Sequence, residues 1–438
     1  SGIIAKAQAA SAALLGGEGG ASVTVVNTLS FDREDVLYLD VPAGWRVAGG
    51  YPQQRVTDLY GGERLAVAGV RLPALGSVTL CLEEGETEEA PCPFAVDGNT
   101  VETGRLRLVL DPMGGIASYW DKLAGRELRG EGGLPLNTFL IAEDVPAAWD
   151  NWDVDADLEA KLRPTAALLE RRVVSLGQVE CRIRSTYRLT EKSTLCQDMV
   201  IYADSPDVAF FTRMNWQDDH RFLKAAFDPS LAVSQARQEI QFGCIQRSTA
   251  RSSAEEKARF EVCNHKYTDL SETRYGAALL NDCKYGISLE GGSMRLSLHK
   301  GGRRPDWRGD KGVHDCAYAF HPHMGGFGAE AVVQPAYAFN VPPLAARGAR
   351  PVEPLLTLAQ DNVLVEAIKP MEDGGRAFLI RLYECEGATV HAQMRLGLDP
   401  IKVEETNLLE DVERELPRER TVRLTFRPFE IKSIKVTY

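Results

Sequence analysis

The chain has 438 residues, 44% of them hydrophobic and 26% charged, a globular composition that excludes wholesale disorder. At roughly 150 residues per domain the length suggests about three domains. Fifty basic residues against 62 acidic ones give a net charge of -12, which argues against a nucleic-acid partner and against attraction to anionic membranes.

Ser1-Gly2 reads as a cloning remnant. The stretch after it has neither a basic region nor a long apolar core, so no signal peptide is expected. Ile3 to Leu15 (IIAKAQAASAALL) is the one convincing helix, with Ile3, Ala7, Ala10 and Leu14 at helical spacing and Gly16-Gly17 as a stop. Short and weakly apolar, it reads as the end of something whose partner is missing.

Strands follow. Ser22 to Thr28, Val36 to Val41, Arg64 to Val67 and Ser77 to Leu82 are short β-type runs separated by Gly/Pro turns, the pattern of a small sandwich. Residues 83–90, rich in Glu and followed by Pro91 and Pro93, read as a linker. Beyond Asn99 the strands lengthen: Arg105 to Leu110, Ile116 to Trp120, Val179 to Leu189 and Met294 to Leu298. A Pro-rich patch from Val341 to Pro354 precedes the last block, in which Val363 to Ile368, Phe378 to Tyr383, Thr389 to Arg395 and Thr421 to Phe426 alternate. Phe429 to Val436 closes the chain, and its lysines, Lys432 and Lys435, suggest an edge strand.

The nine cysteines are scattered and never form CxxC, which points to reduced thiols, buried on strands, in a cytoplasmic protein. Among seven histidines the only close pair is His321-Pro322-His323. Residues two apart on a strand share a face, so a two-His metal clip is geometrically possible, but no third ligand lies nearby. Asp218-Asp219-His220 reads as a charged loop.

Eight strings then resemble, in order, the region that follows the catalytic domain in glycoside hydrolase family 38, the zinc-dependent α-mannosidases. They are VVNTLSFDRED (25–35), DPMGGIASYWDKLAGREL (111–128), EDVPAAWDNWDVD (143–155), RFEVCNHKYTDLSE (259–272), YGAALLNDCKYG (275–286), PDWRGDKGVHDCAYAFHPH (305–323), ETNLLED (405–411) and LTFRPFEIKSIKV (424–436). The resemblance implies an all-β fold of antiparallel β-sandwiches. Residues 1–17 would be the end of an upstream helical segment, 18–92 a small β-sandwich, 93–345 a large mutarotase-like supersandwich and 346–438 a C-terminal β-sandwich.

The resemblance also implies that the catalytic barrel, with its HxD pair, aspartate nucleophile and later histidine on one zinc, lies upstream of the first string. This chain has no HxD, so neither catalytic residues nor a resident metal or other cofactor is expected in it, and the zinc would belong to the missing domain. The parent reaction would be retaining hydrolysis of α-mannosides by two carboxyl groups.

What this chain could add is the rim of the sugar pocket. Sugars stack apolar C–H faces on indole rings and offer hydroxyls to carboxylates. Trp149, Asp150, Trp152 and Asp153 form one such loop, although the tryptophans could equally pack inward while the acids cap the turn. Asp306, Trp307, Asp310 and His314 form a second, for which a solvated, charged connection is the alternative.

Three functions follow. The first is a non-catalytic part of a retaining α-mannosidase that stabilises its own N-terminal catalytic domain and meets an α-mannoside or oligosaccharide. The second is an autonomous carbohydrate-binding module. The third is a mutarotase-like aldose epimerase with one of His314, His321 or His323 beside a carboxylate in a concave pocket. A homo-oligomer is possible; nucleic-acid and membrane partners are not expected.

Overall fold

The computed structural model describes residues 21–87, 90–372 and 374–438. The expected helix from Ile3 to Leu15 lies outside the described residues. Elsewhere strands dominate, as their alternation predicts. The described helices are short: Leu158–Lys161, Ala254–Ala258, and Gln334–Asn340 preceded by a π-helical turn at Ala329–Val333. No helix among the described residues is long and apolar enough to cross a membrane.

The first sandwich sets a four-stranded sheet against the three strands Leu37–Leu39, Glu63–Val67 and Gln53–Thr57. Val23, Val25, Leu39, Leu65, Val67 and Leu80 fill the space between them. The larger sheet is completed from far along the chain, because Leu344–Arg347 returns to pair with Ser22–Val26.

The central unit is built on a nine-stranded antiparallel sheet running from Ala167–Leu176 at one edge to Gly243–Ser248 at the other. Its inner face packs against two five-stranded sheets, one of which contains Thr138–Glu143, Arg221–Phe227 and Ser293–Lys300. Aromatic residues dominate that core: Phe210 stacks on Tyr318 at 5.2 Å and Phe227 on Phe320 at 5.7 Å. The edge strand Ala167–Leu176 is blunted by Glu170, Arg171 and Arg172 and by bulges at both ends of that charged run.

The outer face of the nine-stranded sheet is covered as well. Ala209, Tyr267, Ala278, Leu280 and Ala319 pack under Ala329, Val332, Val333 and Tyr337 of the helical segment, together with Leu364 and Tyr383 of the last sandwich. A strand covered on both faces has no reason to alternate, and every residue of Tyr275–Asn281 (YGAALLN) is buried. In the last sandwich, by contrast, Val422, Leu424 and Phe426 point inward while Arg423 and Thr425 face water.

Two sequence readings need correction. The closing strand, Ile431–Thr437, lies between Ala377–Glu384 and Lys402–Thr406, so it is central and not an edge. Its lysine charge is neutralised locally: Lys432 Nζ reaches Glu405 at 2.8 Å and lies over the Phe426 ring. The nine cysteines are free, but only Cys181, Cys316 and Cys385 are buried, while Cys81, Cys92, Cys263 and Cys283 are exposed.

The first sandwich is fastened to the central sheet by polar groups. Gln54 accepts from the N–H groups of Val179 and Glu180 and donates to Ser175 Oγ. Tyr38 donates to Glu180 at 2.6 Å, and Glu180 in turn holds Arg182.

Candidate functional site

Strand register decides which loops can meet. Glu143 pairs with Arg221, Phe222 with Lys300 and Trp216 with Gly312, so the loops at 144–157, 217–220 and 301–311 all leave the same end of the central unit. Two of these are the loops singled out from sequence, and the structure brings them together.

Asp150 makes the joint. Its side chain is buried, and its carboxylate accepts from the backbone N–H groups of Arg303 and Arg304 at 2.9 and 2.5 Å. Asn151 adds two bonds, its N–H donating to Arg304 O at 2.8 Å and its Oδ1 accepting from Asp306 N–H at 3.0 Å. The backbones approach so closely that a Cβ on Gly302 would sit 2.6 Å from Asp150 O and 2.8 Å from Asn151 N, so only glycine fits there. The 217–220 loop closes the third side: His220 N–H donates to Gly301 O, Asp144 N–H donates to His220 O, and His220 Nδ1 lies 3.2 Å from Asp150 Oδ2.

The tryptophans face outward. Trp149, Trp152 and Trp307 are 56%, 73% and 68% exposed, too much for side chains packed inward as turn filler. Trp149 and Trp152 lie 5.7 Å apart with a 31° tilt, and Trp149 has φ of 50°, a left-handed conformation that their turn imposes. Trp307 carries Arg308 over its ring at 5.5 Å. Asp153, Asp306 and Asp310 are exposed; Asp306 accepts from Arg308 N–H, and Asp310 offers its carbonyl to His314 Nε2 at 2.6 Å.

Beneath the second loop, His299 is buried between Trp216 at 4.8 Å and His314 at 4.4 Å. Burial first, then the neighbouring His314 and Lys284, push its pKa down to about 3. It should therefore stay neutral, and its ring carbon shift should be flat from pH 5 to 8 in NMR; a titration in that range would show the pocket to be wet. Nearer the surface, Lys311 at 2.8 Å holds Asp219 below the usual carboxylate range, whereas burial raises Asp144 despite its contact with Lys300.

Sequence reasoning took His220 as part of a charged loop and gave Asn151 and Gly302 no role of their own. No local signal marks them, because each matters only through a partner on another loop. Among the described residues no group of three or more His, Cys, Asp or Glu side chains is placed to hold a metal ion. His321 and His323 do share a face, with ring centroids 5.9 Å apart, but each turns to its own acid, Asp207 and Asp269. The His323–Asp269 pair is buried and the His321–Asp207 pair half-buried, both on the outer face of the nine-stranded sheet.

A family model for the "Glycosyl hydrolases family 38 C-terminal domain" matches residues 101–308, and one for the "Glycosyl hydrolases family 38 C-terminal beta sandwich domain" matches 362–434. Alpha-mannosidase 2C1 of Homo sapiens is 34% identical over 446 residues, covering 97% of this chain but 41% of its own length. Alpha-mannosidase G of Dictyostelium discoideum is 31% identical over 349 residues, 75% of this chain and 32% of its own. The chain thus spans well under half the length of these relatives. In three dimensions it is similar to an alpha-mannosidase from Enterococcus faecalis V583, with a TM-score of 0.73 at 13% identity over 96% of this chain and 56% of that one.

Proposed function

This chain belongs to glycoside hydrolase family 38, as its carboxy-terminal β region, and from that premise we propose that it is the non-catalytic part of an α-mannosidase. In this reading it stabilises a catalytic domain carried on the same, longer polypeptide, and it lends that domain one wall of the sugar cleft. The two carboxyl groups of a retaining hydrolysis, and the zinc, would be supplied by the catalytic domain. The acids in the two loops do not fit that work: Asp150 is occupied by backbone N–H groups, Asp144 is buried against Lys300, and Asp153, Asp306 and Asp310 are exposed.

The observation that carries the proposal is the exposed Trp149–Trp152 pair on one loop and the exposed Trp307 on a second loop that Asp150 clamps to the first. Rigid placement matters because a sugar face stacks well only on rings that do not have to be ordered first. Asp306 and Asp310, exposed on the same loop as Trp307, would offer acceptors for hydroxyls, and His314 is tied to that loop through the Asp310 carbonyl.

Titration of an α-mannoside against tryptophan fluorescence tests this. One wall of a cleft should bind only in the millimolar range, and Trp149→Ala, Trp152→Ala and Trp307→Ala should each weaken binding by about three- to tenfold, the worth of one stacking contact. Thermal stability should hardly change, since the rings are exposed. Binding unaltered by all three substitutions would sink the proposal. Saturation far below millimolar would instead favour the autonomous binding module.

A further inference from the structure

The helical segment that joins the central unit to the last sandwich contains a proline, Pro335, at the start of Gln334–Asn340. Proline has no N–H to return to the carbonyl four residues back, and its ring crowds that carbonyl. The carbonyl is that of Ala331, inside the π-helical turn Ala329–Val333. The imidazole of His321 takes the place of the absent donor, its Nε2 lying 2.9 Å from Ala331 O. A carbonyl can only accept, so Nε2 must carry hydrogen.

The other ring nitrogen, Nδ1, lies 2.7 Å from Asp207 Oδ1. With Nε2–H committed, this contact needs one further proton between Nδ1 and the carboxylate. Without it a ring lone pair faces a carboxylate lone pair at hydrogen-bond distance. We propose that the Asp207–His321–Ala331 chain is a proton-requiring latch, which fastens the helical segment to the nine-stranded sheet when protonated and lets it go as the pH rises.

The surroundings agree. From the Tyr267–Ser271 strand Asp269 faces the same site, tied to Ser271 Oγ at 2.6 Å and to His323 Nε2 at 3.0 Å. Gly276 makes room for this, because a Cβ there would meet His323 Nε2 and Ser271 Oγ, each at 2.5 Å. The helical segment contributes Glu330, which is exposed, and the last sandwich contributes Glu386, whose carboxylate caps Ala329 N–H. The ring of His323 stacks near that of His321, and Arg237, along the same row of the sheet, is spread over Phe327 at 4.6 Å. Acids therefore predominate around His321. Burial alone would push its pKa down, but the Asp207 carboxylate and then the Ala331 carbonyl outweigh burial and raise it above the ordinary histidine value.

The sign follows from that direction. A group whose folded pKa is raised contributes fully below its unfolded value, about 6.5, and its contribution is lost as pH climbs through the folded value. The segment it holds carries Ala329, Val332, Val333, Ala336 and Tyr337 into the core shared with Leu364 and Tyr383, so release loosens the seat of the last sandwich.

Hydrogen exchange by mass spectrometry on the whole chain, corrected for the intrinsic pH effect, reads the latch directly. Because the closed state holds the His321 proton more tightly than the open state, protection of residues 328–341 should fall about tenfold per pH unit between the open-state value, about 6.5, and the folded titration point of His321, and level off above it. Asp207→Asn should abolish that slope, because the amide N–H donates to a neutral Nδ1 and no extra proton is needed. Pro335→Ala should abolish it independently, by giving Ala331 O a backbone donor and freeing His321 to place its single proton toward Asp207. Protection that is flat with pH in the unsubstituted chain overturns the latch, as does an unchanged slope in both variants. The imidazole NMR titration of His321 decides the case if either variant folds poorly: a midpoint above about 6.5 supports the latch, and one below overturns it.

Discussion

Asp198→Ala is expected to lower the stability of the chain by about 3–5 kcal/mol, the usual cost of leaving a buried charge without its partner. Asp198 is fully buried and holds two guanidinium groups: Arg184 Nε at 2.6 Å and Arg182 Nη1 at 3.2 Å, on side chains 17% and 4% exposed. Glu180, also fully buried, answers Arg182 from the other side at 2.7 Å and receives the Tyr38 hydroxyl. Two acids and two arginines thus balance under the first sandwich. Removing Asp198 leaves Arg184 uncompensated where little water reaches it, since Arg182 keeps Glu180. At about 2–4 °C per kcal/mol for a domain of this size, the midpoint should drop by about 6–20 °C in calorimetry. Arg184 also donates to the Asp58 carbonyl of the first sandwich, so that sandwich should loosen first. Asp399→Ala is the control, since its partner Arg420 is exposed and water replaces the lost acid; an equal loss in both variants would show that burial is not the cause.

The last sandwich and the middle of the chain show how far a sequence can be read. Thr421–Phe426 alternates because one face meets core and the other water, so its fold is visible in its letters. Tyr275–Asn281 does not alternate, because a helical segment some fifty residues downstream covers its second face. Lys432 and Lys435 misled for a related reason: a lysine looks like an edge marker until a neighbouring strand supplies Glu405. The site behaves in the same way. Trp149, Trp152 and Trp307 were legible as unusual loop residues from composition alone. That Asp150 spends its carboxylate on the backbone of the second loop was not legible, since its partners Arg303 and Arg304 lie more than 150 positions away. Register brings them together, and register is a property of whole sheets.

That clamp gives the second large effect. Asp150→Ala removes two charge-assisted hydrogen bonds, each worth about 1.5–3 kcal/mol, and leaves the N–H groups of Arg303 and Arg304 unpaired. The Asn151 bonds to Arg304 O and Asp306 N–H survive, so the loops should loosen against each other rather than part, and the central unit should stay folded. The stability loss should be near 3 kcal/mol rather than the full sum, because water enters an opened loop and satisfies the freed donors. Sugar binding should fall further than in any single tryptophan variant, although Asp150 itself is buried and offers no oxygen to a ligand. The change separates positioning from contact. If Asp150 only positions, Asp150→Asn, which keeps one acceptor oxygen, should recover part of the binding together with part of the stability. If Asp150 touches the sugar, the amide should recover stability and leave binding at the alanine level. Gly302→Ala supplies an independent route to the same state, since its Cβ would press on Asp150 O at 2.6 Å and force the loops apart with every carboxylate still in place. A Gly302→Ala chain that binds an α-mannoside as tightly as the parent would show that the two loops need not be joined, and the clamp would then matter to the fold alone.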